Sequence, residues 1–433
     1  MLSHKRPSLR GVDRFAASAL FLFALGVFAA PALANVGLGL LVLGAAARPR
    51  HTLLALTRHP AWPALLALTV FLAAQAAVLA LSSGLSEADI AVLADLAKLI
   101  LLVPVGLAVA GKSSRAGRAL ALAGLSLLLC MALHARPSEL WQALSEGHTR
   151  LGFGLPAIAF GLYAATALLG VLLLVPNYAG RLPSLPRRAL LVAAGAALAL
   201  IGIGLLTCRS RGAWLALALA LPPCAVWAWR RGGLPRPALA GLGAVLVAGL
   251  VMNGEALARR LADDGATYRA LVGLCDVPAA GTPARLATLP ADSVGLRLRL
   301  SGLALERWRE RPWFGHGPDA GRQIIVQADD PELAAMAHLH NTYLELLVRF
   351  GVVGLAGFGA VLAGLGAGLH RAARAGTLPP QLGMFLTGTL AITLVWSAFD
   401  FRLLTQDFRF HVVLLAGIAL GLGLPRREAP CAS

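Results

Sequence analysis

AHLHNTYLELLVRFGVVGL, residues 337–355, marks the point where a long polar excursion ends and an apolar helix begins. It closes the segment Gly254–Glu345, the one long polar interruption in a chain otherwise made of apolar runs. Working outward in both directions, that contrast decides the fold class. The 433 residues are 58% hydrophobic and 14% charged, with a mean hydropathy of +0.73, which leaves too little polar surface to cover a soluble globule of this size. The expectation is an all-α polytopic membrane protein with one large extramembrane loop rich in short helices.

Upstream, LysArg-flanked FAASALFLFALGVFAAPALAN (Phe15–Asn35) has the charge and length of a signal peptide with small residues near Ala32–Ala34. A second apolar run, NVGLGLLVLGAAA, follows at once, so an uncleaved helical hairpin broken at Pro31 is preferred. Further runs long enough to cross roughly 30 Å of hydrocarbon begin near Trp62, Ile90, Gly117, Gly154, Arg188, Gly212, Pro237, Asn341, Pro379 and His411. With the hairpin they predict about twelve transmembrane helices. The chain then divides into residues 1–253 (the first nine spans), 254–340 (the loop) and 341–433 (the last three).

The net charge of +17 would suggest nucleic acid in a soluble protein, but here the cations sit in short loops and report orientation, and no nucleic-acid partner is expected. Clusters such as Arg48/Arg50/Arg58, Lys112/Arg115/Arg118 and Arg230/Arg231/Arg236 crowd the side that also holds both termini. The opposite short loops hold only Arg136, Arg150, Arg209, Arg211, Arg402 and Arg409, which places the termini in the cytoplasm and the long loop outside. Five cysteines show no metal-ligand spacing, and no Walker loop, dinucleotide fingerprint, CxxC or HExxH is present, so no metal and no cofactor are expected.

Three stretches on the outer face carry candidate chemistry. In TCRSRGAWLAL (Thr207–Leu217), Arg209 and Arg211 stand at the mouth of a helix beginning near Gly212, where guanidinium groups and free backbone N–H groups can meet one anion. The bland reading makes them interfacial anchors that snorkel to lipid phosphates. From Val294, Leu296, Leu300, Leu303, Ala304 and Trp308 share one helical face, with Arg297, Arg299, Arg307, Arg309 and Arg311 around the rest. This predicts a basic amphipathic helix at the outer membrane face, closed by Pro312 and followed by a Gly-rich turn whose Gly315, Gly317 and Gly321 are either hinges of a lid or simply turn formers. In HLHNTYLE, the Thr342–Glu345 spacing is that of a capping box, placing His338, His340 and Asn341 just ahead of the first helical turn. A histidine at the positive end of a helix stays neutral at pH 7, as a general base requires.

These residues resemble the O-antigen ligases and their relatives, the O-antigen polymerases and the bacterial protein O-oligosaccharyltransferases. The resemblance rests on SRGAWLAL (Ser210–Leu217), on an arginine-led helix followed by RPWFGHGP (Arg311–Pro318), and on HLHNTYLELLVRFGVVGL (His338–Leu355). It implies a GT-C-like glycosyltransferase of the bacterial inner membrane. The donor would be a glycan on undecaprenyl diphosphate and the acceptor a sugar hydroxyl of lipid A-core, with transfer metal-independent and inverting. By the same resemblance Arg211 and Arg297 hold the diphosphate; Arg209 and Arg299, singled out by their position alone, are further candidate substrate contacts. His340, or its neighbour His338, takes the acceptor proton, and Asn341 and Asp400 are secondary site groups. Ser301 stands where the family has an aromatic residue, and Arg299 is extra, which leaves the choice of loop arginine open. A membrane-spanning protein of this plan also suits a secondary transporter, or a scaffold contacting membrane lipids alone, with Asp95 and Lys98 as the main intramembrane charges.

Overall fold

The computed structural model describes residues 9–82, 84–145, 149–178, 187–230 and 289–424, together with isolated positions between 254 and 286. The expected span near Pro237 and the short helix around Ala256–Leu261 lie outside the described residues. Among the described residues every regular element is helical. In chain order they are α1 (Leu9–Gly26), α2 (Pro31–Ala46), α3 (Pro49–Thr57), α4 (Trp62–Ser82), α5 (Glu87–Val109, with a tighter turn at Lys98–Leu101), α6 (Ser113–His134) and α7 (Pro137–Ser145). There follow α8 (Ala157–Tyr178), α9 (Arg187–Cys208), α10 (Arg211–Arg230), α11 (Ser293–Glu310), α12 (Ala320–Val326), α13 (Pro331–Ala334), α14 (Thr342–Arg374), α15 (Pro380–Ser397) and α16 (Gln406–Gly423).

Seven of these, α4, α5, α6, α8, α9, α10 and α14, are long and apolar enough to cross a membrane. That supports a polytopic membrane protein, with seven such spans among the described residues. The N-terminal hairpin is present, broken at Pro31, which sits at the first helical position of α2 where its missing N–H is not needed. A Cβ on Gly26 would lie 2.4 Å from the backbone of Ala34, so glycine lets the two arms cross in contact. Behind them the bundle closes on Phe23, Phe160, Tyr163 and Trp396, all essentially buried. The Asp95 and Lys98 side chains pair at 2.8 Å, and Arg409 of α16 reaches the other Asp95 oxygen at 2.9 Å.

α14 is broken at Gly351, whose φ of +64° only glycine adopts cheaply. A break frees helical donors and acceptors, and the 312–317 segment takes them up. His316 and Gly317 donate to the carbonyls of Val348 and Arg349, while Val352 and Val353 donate to those of Pro312 and Trp313. The crossing is so close that a Cβ on Gly315 or on Gly351 would lie within 2.5 Å of the opposing backbone. These glycines therefore act as turn and contact formers, and the Gly-rich stretch is welded into a helix rather than free to hinge.

α11 departs from the surface-helix expectation. Its apolar stripe is covered by protein: Leu300 and Ala304 are buried against Ile324, Ile325, Leu333, Leu339 and Val348, with Leu296, Leu303 and Trp308 at the edges. The short helices α12 and α13 and the first turns of α14 supply a satellite core, so the stripe does not need lipid.

Candidate functional site

The site begins where α14 begins. Asn341 caps the helix, its side chain accepting from the N–H groups of Tyr343 and Leu344. The capping box expected from Thr342 and Glu345 is not formed, because both side chains are drawn elsewhere. Thr342 Oγ1 donates to the Asp400 carbonyl at 2.8 Å, and Glu345 reaches back to the Leu339 N–H at 2.9 Å. Those two bonds clamp the HLHN turn between α14 and the 398–405 segment.

His340 takes a left-handed backbone, φ +51°, which histidine tolerates better than most residues. The reversal brings its own N–H onto His338 Nδ1 at 3.2 Å and sets the two rings 4.1 Å apart. His338 Nε2 and His340 Nδ1 then each lie 3.4 Å from the same oxygen, Oδ1 of Asp400. Asp400 is fully buried, and its other oxygen accepts from Arg402 Nε at 2.9 Å. Burial alone would raise its pKa, but His340, Arg402 and His338 together hold the carboxyl below the usual range, so it is ionised at neutral pH.

Geometry separates the roles of the two histidines. His338 Nδ1 is an acceptor, so in the neutral ring its proton sits on Nε2, facing Asp400, and both nitrogens are engaged. Burial, and next the charge of His340, bring its pKa down to about 4. His340 turns Nδ1 to Asp400, which leaves Nε2 for a substrate proton in a ring that is still partly open. A carboxylate behind one imidazole nitrogen stabilises charge gained at the other.

The cationic half lies opposite. Arg211, the first residue of α10, and Arg297, one turn into α11, both donate to Ser293 Oγ, at 3.1 and 3.3 Å. Gly212 allows this turn to sit against Phe399, whose ring a Cβ there would crowd. Arg150 joins them, because Leu151 N–H bonds to the Thr207 carbonyl and docks the 149–155 segment beside the turn. Its guanidinium is held below its ordinary pKa by burial and by the like charges of Arg211 and Arg297. Arg297 also acts on His338, so the two halves share one electrostatic field.

A sequence model of the O-antigen ligase family matches residues 196–359. This stretch belongs to the O-antigen ligase family. No curated protein matches the chain in sequence. The matched O-antigen ligase domain contains Arg209, Arg211, Arg297, Arg299, His338, His340 and Asn341 and stops within α14; Asp400 and Arg402 come from the following segment. The family is bacterial and membrane-bound and implies ligase activity of the glycosyltransferase type in the general sense.

The fold brings Arg211, Arg297, His338, His340 and Asp400 together, with Asn341 as the cap behind them. Arg209 directs Nη2 to the Ala143 carbonyl at 2.8 Å and ties the turn to α7. Arg299 faces Asp330 and Glu332, which balance its charge. Two groups escaped the sequence reading as site residues, Arg150 and Arg402. Both stand among the arginines that the charge bias assigns to the expected outer face, and only their neighbours in space single them out. His338, His340 and Asp400 also offer three ligand atoms within 4.8 Å of one another, enough to hold a metal ion. The Arg402 guanidinium on Asp400 and the nearby Arg297 oppose a dication there.

Proposed function

We propose that the protein is an O-antigen ligase that moves a glycan from undecaprenyl diphosphate to a sugar hydroxyl of lipid A-core at the periplasmic face of the inner membrane. The observation that carries this reading is the His340–Asp400 contact at 3.4 Å facing an arginine cluster that Ser293 joins. His340 Nε2 takes the acceptor hydroxyl proton as the oxygen attacks the anomeric carbon. The bond from that carbon to the diphosphate oxygen breaks on the opposite face, so the configuration inverts. Arg211 and Arg297 stabilise the charge that grows on the leaving diphosphate, and Asp400 stabilises the imidazolium until its proton passes to the diphosphate or to water. No activated nucleotide is needed, because the energy-rich bond arrives on the lipid carrier.

Purified protein, undecaprenyl-diphosphate glycan and lipid A-core, with and without EDTA, test the reading directly. Glycan on lipid A-core, undiminished by EDTA and nearly abolished in a folded His340→Ala variant, is the expected result. Lengthening of the donor glycan instead makes the protein a polymerase, and loss of product with EDTA returns the two histidines and Asp400 to metal binding.

A further inference from the structure

At the end of the bundle away from the histidines lies a second polar constellation. α14 starts beside His340 and finishes at this end, where Arg371 donates to the Arg58 carbonyl at 3.2 Å. α16 runs the same way, from the segment after Asp400 to Leu424. Here α1, α2, α3 and the α5–α6 turn enclose a cavity of about 890 Å³. Its floor is apolar, formed by residues such as Val12, Leu41, Pro104 and Leu107, and its rim carries Arg48, Arg58 and Lys112.

The rim has an excess of positive charge. Among the described residues Asp13 is the one carboxylate lining the cavity, and Lys112, at 2.6 Å, and Arg115 both pair with it. Arg48 and Arg58 have no carboxylate partner among the described residues. α6 adds to the excess, since it begins at Ser113 with no side-chain cap, and Ser113 and Ser114 line the cavity. The uncapped N–H groups at the start of a 22-residue helix thus lie at the same rim as the cations. A cationic rim over an apolar floor, at helix ends, matches a molecule with an anionic head and an apolar tail.

We propose that this cavity binds an anionic glycerophospholipid, the phosphodiester held by Arg48, Arg58 and the start of α6 and one acyl chain laid on the floor around Leu107. The site is separate from the histidine site and independent of the chemistry there. A zwitterionic lipid carries a second, cationic group that the rim repels.

The test uses the full chain in detergent with three probes: phosphatidylglycerol, phosphatidylcholine and inorganic phosphate. Phosphatidylglycerol is expected to raise the unfolding midpoint and to remain bound in native mass spectra, with phosphatidylcholine weaker by about tenfold or more. Arg48→Gln/Arg58→Gln is expected to weaken phosphatidylglycerol binding at least about tenfold while leaving the lipid-free midpoint in place. Leu107→Trp, which fills the floor, is expected to remove lipid and spare the rim. Equal binding of the two lipids, or unchanged phosphatidylglycerol binding in the double variant, overturns the proposal. A full midpoint shift from inorganic phosphate alone overturns the lipid assignment in favour of a free-anion site.

Discussion

Two buried charged groups stand on neighbouring turns of the same segment, and they are built differently. Glu345 and Arg349, 0% and 4% exposed, form a closed pair. Glu345 Oε2 accepts from Arg349 Nε at 2.7 Å and Oε1 from Leu339 N–H, while Arg349 also bonds to the Pro318 carbonyl and lies 5.4 Å from the Phe401 ring centre. Gly321 makes room, since a Cβ there would strike Glu345 Oε2. The His338–His340–Asp400 group is left open: its contacts to Asp400 Oδ1 are 3.4 Å long, and neither that oxygen nor His340 Nδ1 has a well-formed hydrogen bond among the described residues. A structural pair satisfies its atoms within the protein, whereas this group meets Asp400 Oδ1 and His340 Nδ1 only loosely and leaves His340 Nε2 open. Unmet polar atoms in a fully buried environment are expensive, and function is a reason to retain them.

That contrast is broken most severely at His340. His340→Ala is expected to lower transfer by about 10²–10⁴-fold, with the unfolding midpoint unchanged. Arg349→Met is expected to do the reverse, leaving a buried carboxylate unpaired at a cost of about 3–5 kcal/mol, seen as a fall in unfolding midpoint or in membrane accumulation. Restoring much of that loss in Glu345→Gln/Arg349→Met confirms that the pair, and not either residue, is what the fold requires. Equal loss of stability in the two single variants erases the distinction.

The arginines sharpen the same contrast at smaller amplitude. Arg150 has a like-charged neighbourhood, and Arg299 has Asp330 and Glu332. Arg150→Ala is therefore expected to weaken inhibition by pyrophosphate about tenfold, while Arg299→Ala leaves it within about twofold. The reverse ranking moves the anion site toward the middle of α11.

The smallest effect is one of pH. With its pKa lowered to about 4, His338 binds fewer protons in the folded state than in the unfolded chain between about pH 6.5 and 4. Stability thus falls as pH drops through that window. His338→Asn is expected to flatten this part of the midpoint-against-pH curve, and an unaltered slope assigns the acid sensitivity to another group.

Much of this was legible in the residues themselves. Apolar runs against one polar segment decide membrane class, and Pro31 decides where the hairpin breaks. The Thr342–Glu345 spacing marks a helix start just after Asn341, because backbone N–H groups there need a local acceptor; that acceptor is Asn341 and not the expected Thr342. Thr342 and Glu345 had better partners, in Asp400 and in Leu339 with Arg349, and those partners lie outside the four-residue motif: far along the chain, just upstream, or one helical turn further on. The surface-helix expectation for α11 failed for a related reason. Periodicity reveals an apolar stripe but not what covers it, and here protein does.

By itself, then, the sequence determines an all-helical membrane chain, its broken hairpin, and the arginine and histidine motifs of an O-antigen ligase domain, because hydropathy, period and capping act over a few neighbouring residues. Only the tertiary structure decides that Asp400 and Arg402 stand behind two histidines some sixty residues earlier, that Arg150 joins Arg211 and Arg297, and that Arg299 is turned to carboxylates. Electrostatic fields and hydrogen bonds depend on separation in space, and chain order does not report that separation.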